Sequence, residues 1–233
     1  VDQHPAGQTV VDDAAPLGAA PQRSGGETHA GRVPVGQTWG VTSISYGDGI
    51  PGEAELRLLG DLSGGKRALE LGVSDHHNAV AFALAGAKAL AVDPDPARIE
   101  QIRDAAQKAD QESSARSGQA IRVECHTNDL ADLGFATSGS VAAVVAVHTL
   151  DTVDDLSRVL RQAHRVLRSS HPFVIAVDHP FSVSPYGSTG RTIGDWFTQL
   201  VRTSFRVDQI LELGEGPAGV PTTLVIRARK EGD

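Results

Sequence analysis

The chain has 233 residues, enough for one well-buried domain plus a terminal extension and rather little for two. Its formal net charge of −8 argues against a phosphate-tracking surface, because non-specific nucleic-acid affinity rests on Lys and Arg displacing counterions, so a small-molecule or protein substrate is expected. With 4% aromatic residues in a 40% hydrophobic chain, the core must be built mostly from Val, Leu, Ile and Ala, which suits parallel strands covered by helices.

The single cysteine, Cys125, excludes an intrachain disulfide and fits a reducing compartment, so the expected location is cytoplasmic. No run approaches the roughly 20 consecutive apolar residues of a membrane span, and the acidic N-terminus has no basic region followed by an apolar stretch, so neither anchor nor export signal is expected. Residues 1–35, rich in Gly, Pro, Ala, Ser, Asp and Gln and without periodicity, read as a disordered tail, leaving one domain over 36–233, monomeric or homodimeric.

Order is expected from near Trp39. GEAELRLLGDL (52–62) reads as a helix that turns Leu56, Leu59 and Leu62 inward before SGGK breaks it. Strand KRALELG (66–72), helix HNAVAFALAGA (77–87) and strand KALAVD (88–93) follow. Asp95 as N-cap with Pro96 at the first helical position starts the next helix, and DQESSARSG (110–118) reads as loop or frayed end. Strands are expected at 119–126, 141–148 and 171–179, with an amphipathic helix from TVDDLSRVLRQAHRVLRSS between the last two and another helix over 192–204. Four arginines line one face of the first of these helices, a solvated face rather than a phosphate grip. FRVDQILELG (205–214) and VPTTLVIRARK (220–230) are joined by too short a link for a parallel crossover and must be antiparallel.

An alternating βα chain predicts a Rossmann-like α/β fold, with a parallel sheet covered by helices on both faces and its ligand outside the carboxyl ends of the strands. Those ends carry Glu70 and Gly72, Asp93, Asn128 and Asp129, His148, and Asp178 with His179. Asp93 lies where a carboxylate can accept both hydroxyls of a ribose, and the helix-capping role next to it belongs to Asp95.

RALELGVSDHHNAVAFALAGAKALAVDPDPARIEQIR and NDLADLGFATSGSVAAVVAVHTLDTVDDLSRVLRQAHRVLRSSHPFVIAVDHPF, closed by the antiparallel pair, resemble the class I S-adenosylmethionine (SAM) dependent methyltransferases from about residue 38 onward, notably small actinobacterial members. The resemblance implies a seven-stranded sheet of order 3-2-1-4-5-7-6 with the last strand antiparallel, and SAM as cofactor. It implies that Glu70 orients the SAM amino group, that the backbone about Gly72 and Ser74 approaches its carboxylate and ribose, that Asp93 holds the ribose, and that Asp129 and Leu130 meet the adenine. The chain departs from the family's GxGxG loop: Ser74 and His76 stand at the second and third glycines, with Asp75 between them.

Two readings follow: methyl transfer from SAM to a small-molecule acceptor, or a methyltransferase-like domain with weakened SAM binding that serves as a non-catalytic interaction module. A nicotinamide dehydrogenase would need glycines at Ser74 and His77 and a further substrate domain. His148 and His179 end adjacent strands and are candidate general bases, with Asp178 or Asp151 as orienting groups; a structural role is the alternative. They have no third ligand at diagnostic spacing, so no metal is expected. Trp39 and Tyr46 are candidate lid residues and Phe181 a candidate acceptor contact, or all are packing aromatics.

Overall fold

A computed structural model describes residues 43–183 and 190–232. The tail 1–35 and Trp39 lie outside the described residues. From residue 43 the chain belongs to one compact unit.

The elements run in chain order as α1 (Glu53–Leu56), β1 (Arg67–Leu71), α2 (Asn78–Leu84), β2 (Lys88–Asp93), α3 (Pro96–Ser117), β3 (Val123–Thr127), β4 (Val141–Val147), α4 (Leu156–Val166), β5 (Pro172–Asp178), α5 (Pro180–Val183), α6 (Ile193–Arg202), β6 (Phe205–Leu213) and β7 (Thr223–Lys230). The sheet order is β3-β2-β1-β4-β5-β7-β6, with β7 antiparallel to both neighbours and every other pair parallel. This is the Rossmann-like methyltransferase arrangement expected from the sequence.

The central strands β1, β2, β4 and β5 are buried on both faces because both are covered. Leu69, Leu90, Val144 and Ile175 pack toward α4 and α6, while Ala68, Ala91, Val145 and Val174 pack toward α2 and α3. α4 closes its side with Leu156, Val159, Leu160, Ala163 and Val166, all buried, behind an N-cap in which Asp155 accepts from the Arg158 N–H. Thr192 and Asp195 form a reciprocal capping box that starts α6. No helix among the described residues is long and apolar enough to cross a membrane.

Two elements differ from expectation. The helix expected over 52–62 is a single turn, ended by Arg57 in the left-handed conformation. Glu53 accepts from the Leu58 and Leu59 N–H groups at 2.9 Å each, so a side chain takes the donors that further helix would have used. α3 instead runs through the stretch expected to be loop, to a left-handed Gly118. QESSARS contains no helix breaker, its side chains are largely exposed, and only at Gly118 does the chain find a residue suited to the C-cap conformation.

Candidate active site

The strand order reverses between β1 and β4, and there a cleft of ≈ 470 Å³ opens at the carboxyl ends. The β1–α2 loop forms one wall through Ser74, Asp75 and His76; His148, Thr149 and Asp178 form another.

The loop is fastened from beneath. Glu70 is fully buried, and its carboxylate accepts from the Ser74 N–H at 3.1 Å, the Ser74 hydroxyl at 2.9 Å and the Ala79 N–H at 2.7 Å. Burial pushes its pKa up and these bonds pull it back. Through these bonds Glu70 holds the loop against α2. Asp93, 6% exposed, accepts from the Val73 N–H through Oδ2 and from the Asp95 N–H through Oδ1, both at 2.8 Å. Asp95, as expected, caps α3 by accepting from the Ala97 N–H.

Gly72 is required twice over. Its φ is +79°, and a Cβ there would lie 2.4 Å from Thr149 Cβ, whose hydroxyl donates to the Leu71 carbonyl. The altered positions resolve differently from one another. Ser74 turns inward to Glu70, Asp75 points outward with its side chain 92% exposed and near Arg98, and His76 faces the cleft opposite Asp48 at 3.9 Å. Arg98 also donates to the Val73 carbonyl at 2.7 Å, tying α3 to the loop.

The second wall carries titratable chemistry. His148 has φ +52°, a rare conformation for a residue with a side chain, and its N–H donates to the Ala176 carbonyl. Its Nδ1 lies 3.0 Å from Asp178 Oδ1. A carboxylate only accepts, so Nδ1 carries the proton and Nε2 is left as the basic nitrogen. Next to Nε2 stands Gly47, where a Cβ would lie 3.2 Å from that nitrogen. Asp151 belongs to the same electrostatic group: burial, then the Asp178 charge, raise its pKa to about 6, opposed by His148 and Arg191.

Several expected site residues lie elsewhere. His179 does not share the cleft with His148: it follows Asp178 directly on the strand, so it faces the opposite way, fully buried, with Nε2 2.9 Å from Glu212 and Nδ1 accepting from the Phe181 N–H. Tyr46 is no lid; it is fully buried and donates its hydroxyl to Glu53 at 2.6 Å, and burial followed by the Glu53 charge raises its pKa far above the usual phenol range. Phe181 is 62% exposed beside the His179 ring and does not line the cleft. Asp129 is exposed and accepts from the Ala131 N–H, while Leu130 packs into the core; both close β3, beyond the cleft's lining. No sequence signal marks Gly47, Asp48, Thr222 or Thr223, which reach the cleft only through the fold; the positive charge of Arg98, close to a well-signalled helix start, was readable.

Residues 69–175 match the family model described as a methyltransferase domain. A protein from Listeria monocytogenes assigned as a SAM-dependent methyltransferase is similar over 76% of this chain and 95% of its own, with TM-score 0.60 and 17% identity. A SAM-dependent methyltransferase from Mesorhizobium loti is similar over 75% and 94%, with TM-score 0.57 and 17% identity. A geranyl diphosphate methyltransferase solved in complex with SAM is similar over 77% and 84%, with TM-score 0.57 and 15% identity. No curated protein sequence matches the chain. The domain match over residues 69–175 and the sheet order together give the chain the Rossmann-like methyltransferase fold.

The loop is compatible with SAM on its own geometry. Glycine at position 72 permits close approach of a ligand to the backbone, Ser74 turns its hydroxyl to Glu70, Asp75 lies beside Arg98, which offsets its charge, and Asp93 retains acceptor capacity beyond the two N–H bonds it makes.

Proposed function

We propose that this chain transfers a methyl group from SAM to a small polar acceptor in the cleft, and that His148 removes the acceptor's proton. The His148–Asp178 pair, on the wall facing the cofactor loop, carries the reading. SAM supplies an already activated methyl, so the protein's part is to bring donor and acceptor into line and to manage one proton. The β1–α2 loop and Asp93 would hold the donor. His148 Nε2 takes a proton from an acceptor O–H or N–H, and Asp178 holds the ring in the required tautomer and stabilises the imidazolium formed. Gly47 keeps the approach to Nε2 clear.

The lining also bears on the acceptor. Asp48, Asp75 and Asp178 outnumber the one permanent cation, Arg98, and the remaining side chains are small or polar. Such a cleft favours a neutral or cationic acceptor over an anionic or extended apolar one.

Calorimetric titration with SAM and S-adenosylhomocysteine tests the donor half. At 100 times the dissociation constant, either ligand should stabilise the fold by about 2.7 kcal/mol; no heat and no thermal shift at millimolar ligand would remove the proposal. Turnover is then read as S-adenosylhomocysteine release across a panel of small alcohols and amines. His148→Gln should lower kcat by about 10²- to 10⁴-fold while leaving donor affinity unchanged.

A further inference from the structure

The opposite edge of the sheet carries a second concavity, of ≈ 510 Å³, at the amino ends of β2 and β3. Ala83, Ala87, Ala89 and Ala120 give it methyl-lined walls, and Lys88 and Arg122 stand among its lining residues. Ala89 pairs with Val123 in the parallel ladder, so the preceding residues, Lys88 and Arg122, lie side by side on neighbouring strands at about 4.8 Å separation. Arg67 of β1 is in register with Lys88 and extends the row to three cations. Like charges on adjacent strands repel, and a sheet normally interleaves an acid. Among the described residues none of the three makes an ion pair or a side-chain hydrogen bond; the one acid in the lining, Glu124, lies 2.9 Å from His126 Nε2. A chain with formal net charge −8 has acids to spare, yet none neutralises this row.

We propose that this cavity binds a small amphiphilic anion, with a carboxylate or phosphate between Lys88 and Arg122 and an apolar body against the alanine walls. An anion relieves the repulsion between the two cations, and the methyl surface is of the size and kind that contributes affinity only to a ligand with an apolar part. The site lies at the start of β2, whereas Asp93 and the cofactor loop lie at its end, so occupancy of one is separable from occupancy of the other.

Hexanoate titrated into the isotope-labelled full chain, followed by amide chemical shifts, tests this, with hexanamide and inorganic phosphate as parallel arms. Shifts are expected at residues 83–89 and 119–124. Hexanoate should bind at least about tenfold more tightly than isosteric hexanamide, which cannot make charge-assisted bonds, and more tightly than phosphate, which has no apolar body. Lys88→Gln and Arg122→Gln should each weaken hexanoate binding and leave hexanamide unchanged; Ala120→Leu, which fills the cavity, should weaken both organic ligands. Both charge variants remove repulsion at exposed positions, so their Tm should equal or exceed the parent's. Equal affinity for hexanoate and hexanamide, phosphate as tight as hexanoate, shifts confined to the cleft loop, or parental hexanoate affinity in both charge variants would each overturn the proposal. Failure of SAM to bind would leave it untouched.

Discussion

The two walls of the cleft use charge in opposite ways. On the β1–β2 side the two buried carboxylates are tied to the protein's own backbone: Glu70 to Ser74 and Ala79, Asp93 to Val73 and Asp95. On the β4–β5 side, His148 and Asp178 pair with each other and line open space, with the Asp151 pKa raised to about 6 close by. The first wall is a scaffold whose carboxylates shape a loop, and the second is a reactive surface whose groups keep a free nitrogen. Substitutions on the first should therefore be felt in folding before chemistry, and on the second in chemistry before folding.

The largest expected effect is at Glu70. Glu70→Ala leaves the Ser74 and Ala79 donors buried without an acceptor, at about 1–3 kcal/mol each, so stability should fall by about 3 kcal/mol or more. The urea midpoint should drop with an unchanged slope. A variant that keeps its stability and loses only donor binding would mean that Glu70 contacts the ligand directly and that the two walls are alike.

Gly72→Ala comes next. It forces a side chain into a left-handed conformation, about 1–2 kcal/mol, and drives its Cβ into Thr149, with an overpacking cost of about 1–3 kcal/mol. In a double-mutant cycle with Thr149→Gly, the clash should vanish while the conformational cost stays. Full additivity would show that the loop and the end of β4 move independently, which would undo the picture of one wall braced against the other.

Much of this was legible in the sequence because it rests on local rules. The Asp95–Pro96 helix start, the apolar strands and the short final link give the alternating pattern and the antiparallel last pair, the family resemblance supplies the sheet order, and strand ends nominate Glu70, Gly72, Asp93 and His148. What escaped was direction. Asp178 and His179 are neighbours in sequence and opposite in space, so one serves the cleft and the other packs against Glu212. The turn of His148 toward Asp178 depends on a positive φ that no periodicity encodes. Tyr46 looked like a lid because aromatic residues before the first strand could cover the cleft, but Glu53, seven residues on, supplies the hydroxyl with a partner inside the fold.

Asp151 gives a smaller effect with a defined pH window. Its folded pKa is raised to about 6 from an ordinary carboxylate value near 3.8, so the folded protein binds more protons than the unfolded chain between those values. Stability contributed by this group is present below about pH 4 and is lost as pH rises through 6. Asp151→Asn should therefore raise Tm at pH 7–8 relative to the parent, and the gain should disappear by pH 4. A gain independent of pH would assign the effect to packing and remove Asp151 from the reactive wall's electrostatics.

The smallest effect is expected at Asp75, and it bears on the altered loop most directly. Its carboxylate is 92% exposed and lies 3.4 Å from Arg98. Exposed pairs contribute about 0–1 kcal/mol and are screened by salt, so Asp75→Asn should lower Tm by no more than about 2–4 °C. If Arg98 and solvent offset this charge at the cleft's rim, donor affinity should change less than about threefold at 0.15 M salt, where screening acts over about 8 Å. A tenfold gain in affinity for Asp75→Asn would instead mean that the carboxylate opposes the donor's own. The replaced glycine loop would then be a weakened cofactor site, and the scaffold wall would be working against the reactive one.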